Sequence, residues 1–320
     1  MTELRRIGQS ELKTPPLILG GNVFGWTADR ETSFAVLDAF VAGGGTVIDT
    51  ADVYSAWIEG HQGGESETVI GEWLRRRGRR DDVAITTKVG LLPIDGGKGL
   101  APAHIARAVE ASLRRLGTDY IDLYLAHRDD PETDQDAVAQ AFDALVKAGK
   151  VRVIGASNFT ADRLASAVAG QESHGLSRYQ ALQNEYNLLV RDSYEGAVQD
   201  YVVAHGIGST PYFGLASGYL TGKYRSAADV KGARAGAVSK YIEGNGPRVL
   251  AALDVVAAAH GASLAQVALA WIAAQPGIAA PIASATSVAQ VEELLGSIRL
   301  TLSADDLAAL DQAGRVSDPV

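Results

Sequence analysis

The feature that most constrains this chain is an alternation of eight short strand-like segments with helical patterns. The strand-like segments are Leu17–Gly21, Thr46–Asp49, Val83–Lys88, Ile121–His127, Val151–Ser157, Ala181–Gln183, Ile207–Tyr212 and Ile278–Ser284. Between them apolar residues recur at helical spacing, as in Phe34, Leu37, Phe40 and Val41, or Ile105, Val109 and Leu113. Thr160 reads as an N-cap. Repeated βα units call for a parallel sheet with right-handed crossovers. Eight of them close on themselves as a (β/α)8 TIM barrel. An open doubly wound sheet is the rival, and it begins with a G-x-G-x-x-G turn; the early "LGGNVFGW" does not spell one. With no sharp break in composition, the expectation is a single domain over residues 1–320. A helix pair toward the C-terminus and the tail "SADDLAALDQAG" are expected as additions to the barrel. The long connection from Gly214 to Gly246 is expected to be an active-site loop with short structure of its own.

Composition narrows the function classes. Hydrophobic residues make up 47% of the chain, enough for a large core. A net charge of −9 disfavours nucleic acid or an anionic membrane as the main partner. The run "RRRGRR" (75–80) is expected to be a solvated helix end. Without cysteine there is neither a disulfide framework nor a thiolate metal site. The N-terminal stretch has no apolar signal region, and no window is long and apolar enough to span a membrane, so a cytoplasmic location is expected.

Barrel chemistry sits at the C-terminal ends of strands. Asp49, Lys88 and His127 end three successive strands, and Tyr54 lies just beyond Asp49. An ammonium beside a phenol favours phenolate and lowers its pKa. A buried ammonium in turn needs an anion, which Asp49 supplies. His127 is placed to orient a substrate oxygen. The group reads as a device for protonating an oxygen while something else adds to carbon, with no metal required. A metal-dependent hydrolase on the same barrel calls for several His and carboxylates at strand ends, and only His127 is well placed.

The chain resembles the aldo-keto reductase family, most strongly its bacterial members. The resemblance is carried, in family order, by "GGGTVIDTADVY", "GGESETVIG", "TTKVG", "IDLYLAHRDD", "GASNF", "LASGYLTGKY" and "SATSVAQVEEL". It implies Asp49, Tyr54, Lys88 and His127 as a catalytic tetrad, and an extended nicotinamide cofactor in contact with Gly21 and Asp49. Ser157, Asn158 and Gln183 would bond the carboxamide, with Tyr212 stacked under the ring. Leu215, Ser217, Gly218, Leu220, Gly222 and Lys223 would embrace the pyrophosphate. Ser284, Thr286, Gln290 and Glu293 would hold the adenosine end.

Many relatives carry Lys or Arg near Ser284 and Gln290, and Leu294 stands where Asn is usual. NADP(H) is the favoured cofactor and NAD(H) the alternative. Phe24, Trp26, Trp57, Leu91 and Arg128 are expected to line the substrate pocket, with Trp57 on a lengthened loop between Tyr54 and Glu65. The expected activity is reduction of an aldehyde or ketone, or the reverse oxidation of an alcohol, by a monomer. A cofactor-binding regulatory or redox-sensing protein with slow turnover is the alternative.

Overall fold

A computed structural model describes residues 4–94, 97–230 and 235–315. Strands β1 (Arg5–Arg6) and β2 (Lys13–Thr14) form an antiparallel hairpin. Eight parallel strands follow: β3 (Ile18–Gly20), β4 (Val47–Asp49), β5 (Ala84–Val89), β6 (Ile121–Ala126), β7 (Val151–Ser157), β8 (Ala181–Gln183), β9 (Gly208–Ser209) and β10 (Ile282–Ala283). Sequential strands are neighbours, and β10 lies beside β3. The last seam closes through single hydrogen bonds. Ser209 N–H donates to the Gly277 carbonyl, Ala279 N–H to the Ser209 carbonyl, and Ile282 N–H to the Pro211 carbonyl, each at 2.8 Å. The chain is therefore a (β/α)8 barrel. Strands β9 and β10 are shorter than their apolar segments because Pro211 and Pro281 have no N–H to give a ladder.

The helices are α1 (Arg30–Ala42), α2 (Glu65–Arg77), α3 (Pro102–Leu116), α4 (Gln135–Lys147), α5 (Ala161–Ser173), α6 (Ala197–His205), α7 (Ala235–Glu243), α8 (Gly246–His260), α9 (Leu264–Ala273), α10 (Val288–Gly296) and α11 (Ala304–Gly314). Thr160 does cap α5, its side chain accepting from Arg163 N–H. Of the additional helices, α9 is buried along nearly its whole length, because α10 flanks it and α8 packs over it. Helix α8 also packs against α11. Helices α8 and α9 bend by 96° at their junction, and no single described helix is long and apolar enough to cross a membrane. The basic run ends α2 with Arg75, Arg76 and Arg79 exposed as expected, while Arg77 pairs with Asp82 and Arg80 reaches the buried Asp122 at 2.6 Å.

Strand alternation sorts the core into two regions. Outward residues such as Ile48, Ile85, Tyr124 and Ile154 join the main core under the helices. Inward residues form small clusters inside the barrel: Leu123, Leu125, Ala181 and Ala279 with Ile7, and Ile18, Val47, Ala84, Ala280 and Ile282. Ile7 comes from the β1–β2 hairpin, which plugs the N-terminal end of the barrel. The hairpin sits so close that a Cβ on Gly8, at φ +63°, would lie 2.2 Å from the Gln180 carbonyl oxygen. Sequence patterning missed this hairpin, whose strands are too short to show a period.

Candidate active site

The inward face of each strand decides which polar groups meet. Val47, Ala84, Leu123 and Leu125 lie inside the barrel. At a period of two, Asp49, Lys88 and His127 extend the same faces into its last layer, on adjacent strands β4, β5 and β6. Lys88 is 0% exposed. Its ammonium donates to Asp49 Oδ2 at 2.7 Å, to the Thr50 carbonyl at 2.7 Å and to the Tyr54 hydroxyl at 3.3 Å. Burial works against that charge, but Asp49 and Tyr54 outweigh it and hold Lys88 above the ordinary lysine value. The other Asp49 oxygen accepts from Gln183 Nε2 at 2.9 Å, a bond across the barrel.

The sequence argument expects Lys88 to lower the Tyr54 phenol. Lys88 does pull in that direction, but burial raises the phenol by more and Asp49 adds to the rise, so Tyr54 lies above its ordinary value. It is a protonated donor at neutral pH. His127 lies edge-on to Tyr54, with ring centroids 6.0 Å apart at 75°. Burial, with the charges of Lys88 and Arg128, pushes its imidazole well below the usual value, so the ring is neutral. Nδ1 is buried without a partner. An orphaned lone pair is tolerated better than an orphaned N–H. The proton therefore belongs on Nε2, which makes His127 a hydrogen-bond donor.

Ser157, Asn158, Gln183 and Tyr212 come together beside this group. Ser157 Oγ donates to the Gln183 carbonyl at 2.7 Å, and Asn158 Nδ2 donates to Ser157 Oγ and the His127 carbonyl, both at 3.0 Å. The Tyr212 hydroxyl donates to Asn158 Oδ1 at 2.7 Å. Burial pushes that hydroxyl up to about 12. Asn158 itself is left-handed, at φ 58°.

The pyrophosphate cradle expected from "LASGYLTGKY" is only partly available. The N–H groups of Gly218 and Leu220 donate to the Leu215 carbonyl at 2.8 and 3.2 Å, and that of Gly222 to the Tyr219 carbonyl at 3.0 Å. The Leu220 side chain is buried in the core. This corrects the expectation that these backbone donors face a phosphate in this conformation. The polar side chains of the segment that are not buried are Ser217, Thr221 and Lys223, and a Cβ on Gly218 would sit 3.4 Å from Lys223 Nζ. Phe213, Ala216 and Ser217 hold positive φ of 55°, 47° and 58°, a local strain of the kind that clusters at ligand-binding segments.

Among the residues expected to hold the adenosine end, Ser284 Oγ donates to Asn22 Oδ1 at 2.6 Å. Thr286 donates through N and Oγ1 to Gln290 Oε1 at 2.8 and 3.2 Å, in front of α10. Glu293 is exposed on that helix. Gly21 turns the chain beside the tetrad, donating from N–H to the Asp49 carbonyl at 2.7 Å.

Trp57 stands edge-on to Tyr54 and to Trp26, with centroids 5.7 Å apart in both pairs, and is 49% exposed. The loop that carries it is anchored by Glu65, whose carboxylate accepts from the N–H groups of Ser55, Gln62 and Gly63. Leu91 and Arg128 are exposed, and the Arg128 charge reaches both His127 and Tyr212. Phe24 corrects the expected lining: it is fully buried in the main core and walls no pocket. Sequence reasoning also missed the Gln183–Asp49 bond, the Thr50 carbonyl on Lys88, and Asn22. Period-two alternation places Gln183 on the inward face and was a usable signal for it.

Comparison with known proteins shows the family of the chain. The family profile described as "Aldo/keto reductase family" matches residues 16–315. Protein tas of Escherichia coli (strain K12) is 32% identical over 98% of both chains. An uncharacterized oxidoreductase, YrpG, of Bacillus subtilis is 33% identical over 97% of this chain and 95% of its own. Aldo-keto reductase str7 of Strobilurus tenacellus is 33% identical over 92% of this chain and 84% of its own. The chain belongs to the aldo/keto reductase family and is an oxidoreductase.

Proposed function

We propose that this oxidoreductase reduces an aldehyde or ketone to an alcohol with a reduced nicotinamide cofactor, Tyr54 acting as general acid. The observation that carries the reading is the contact of 3.3 Å between the Tyr54 hydroxyl and the buried Lys88 ammonium, itself held by Asp49. The residues present fit such a cofactor. Amides and hydroxyls of Asn158, Ser157 and Gln183 suit a carboxamide, and the Tyr212 ring is held beside them by its hydroxyl bond to Asn158. Lys223 and Ser217 suit a pyrophosphate, and Ser284 and Thr286 lie ahead of the α10 N-terminus, which favours a 2′-phosphate. NADP(H) is therefore the preferred cofactor and NAD(H) the weaker one.

Bound reduced nicotinamide supplies a hydride to the carbonyl carbon. His127 donates from Nε2 to the carbonyl oxygen and aims it. Tyr54 gives its proton to that oxygen as charge builds there, and Lys88 stabilises the phenolate left behind. Asp49 keeps Lys88 charged in a site where burial disfavours the ammonium. Trp26 and Trp57 form an apolar wall beside the phenol. The partner is a small molecule, and the protein acts as a monomer. The test is a titration with NADPH and NADH read by tryptophan fluorescence, followed by a panel of carbonyl compounds at the nicotinamide absorbance. Tighter NADPH binding with turnover of at least one carbonyl is the expected result; binding of neither cofactor contradicts the reading.

A further inference from the structure

Directly behind the tetrad, on the outer face of the same strands, lies a second polar cluster that the chemistry above does not use. Asp52 sits midway along the turn from Asp49 to Tyr54 and is 0% exposed. Its N–H donates to the Lys88 carbonyl at 3.3 Å, so the turn is pinned to the strand that carries the catalytic ammonium. Both carboxyl oxygens are sealed from solvent and meet no hydrogen-bonding side chain, and only the adjacent backbone N–H of Val53 lies close enough to favour the ionised form.

The groups facing Asp52 are Glu67 from α2, Arg115 from α3, Lys88 from β5 and Tyr124 from β6. Glu67 is fully buried and fully used: it accepts from Thr87 Oγ1 at 2.6 Å and from Arg115 Nε at 2.6 Å. Arg115 is thereby committed to Glu67, and Lys88 to Asp49. Tyr124, paired across the ladder with Thr87, is buried with an unpartnered hydroxyl. Two carboxyls thus face this cluster with one guanidinium, and the guanidinium hydrogen-bonds the other carboxyl. An ionised Asp52 would be a buried anion with no bonded cation, which proteins avoid by keeping the proton.

We propose that Asp52 is a positioning residue for Tyr54: a proton-bearing carboxyl that packs the Thr50–Ser55 turn against β5 and β6 while placing no negative charge behind the phenol. The inference rests on the reading of Tyr54 as general acid. Burial and the neighbouring Glu67 charge both hold the Asp52 proton on, and an Asp52 charge would raise Tyr54 further, against the chemistry. A neutral Asp52 leaves the phenol to respond to Lys88 and Asp49.

The experiment compares full-length wild type, Asp52→Asn and Asp52→Ala. In infrared difference spectra at neutral pH, wild type minus Asp52→Asn should show the carbonyl stretch of one protonated carboxyl. The alkaline limb of the kcat profile for reduction should be the same in wild type and Asp52→Asn, because Asn matches the acid in charge and shape. Asp52→Ala should lower kcat by roughly tenfold or more with cofactor Kd unchanged, since the turn that aims Tyr54 loses its packing. Absence of the protonated-carboxyl band overturns the proposal. So does an alkaline limb that moves to lower pH in Asp52→Asn by about one pH unit, the mark of a removed anion. A Tyr54→Phe variant that keeps full activity defeats the general-acid reading instead, while the infrared band still reports the Asp52 proton.

Discussion

In a Lys88→Met variant the Asp49 carboxylate stays buried and loses its ammonium. Removing one partner of a buried ion pair costs about 3–5 kcal/mol, most of it the penalty of the stranded charge. Gln183 Nε2 remains on Asp49 at 2.9 Å and blunts the loss, so the expected cost is near the lower bound. Neutralising the carboxylate as well, in Asp49→Asn/Lys88→Met, removes the stranded charge and should recover about 2 kcal/mol of that. Activity should not follow stability. A phenolate and an ammonium 3.3 Å apart attract by roughly 5 kcal/mol at an effective dielectric of about 20. With the proton about half transferred in the transition state, some 2–3 kcal/mol is lost, or roughly 10²-fold in kcat. Urea unfolding followed by circular dichroism gives the stabilities, and a double-mutant cycle isolates the pair. A Lys88→Met protein as stable as wild type, or a double variant no more stable than the single one, refutes the ion-pair argument.

Gly71→Ala should destabilise the protein even though alanine is the better helix former by about 1 kcal/mol. The added Cβ would lie 2.1 Å from the Arg115 carbonyl oxygen, and backbone cannot move aside as a side chain can. The expected net loss is roughly 1–3 kcal/mol by denaturant unfolding, and an unchanged midpoint would count against the close α2–α3 packing. His127 sets a pH dependence. Burial first, then the charges of Lys88 and Arg128, depress its folded-state value, so the unfolded chain takes up a proton that the folded one refuses. Stability should therefore fall as pH drops below about 6.5, and His127→Phe should flatten that slope. Parallel slopes in the two proteins between neutral pH and pH of about 5 would contradict the neutral imidazole.

The fold was legible because strand and helix periods alternate without interruption, and inward alternation carries Asp49, Lys88 and His127 to one rim. Less was legible where backbone, rather than pattern, decides. The β1–β2 hairpin has two-residue strands with no period to detect. Strand ends at Pro211 and Pro281 were overrun because an apolar run does not reveal a missing N–H. Phe24 reads as a pocket aromatic in sequence, yet the turn after Gly21 rolls it into the main core. In the segment from Leu215 to Lys223, small residues signal close backbone approach but do not say what the N–H groups bond. Here Gly218, Leu220 and Gly222 bond the segment itself. The Asp52 cluster was invisible because its members come from a turn, two helices and two strands, and each alone reads as an ordinary charge or core tyrosine.

The most direct test of the account is single-turnover reduction of a carbonyl compound by Tyr54→Phe with saturating cofactor. The Tyr54 proton donor predicts a rate lower by roughly 10²–10⁴-fold with unchanged cofactor affinity. A rate equal to wild type under those conditions would contradict it.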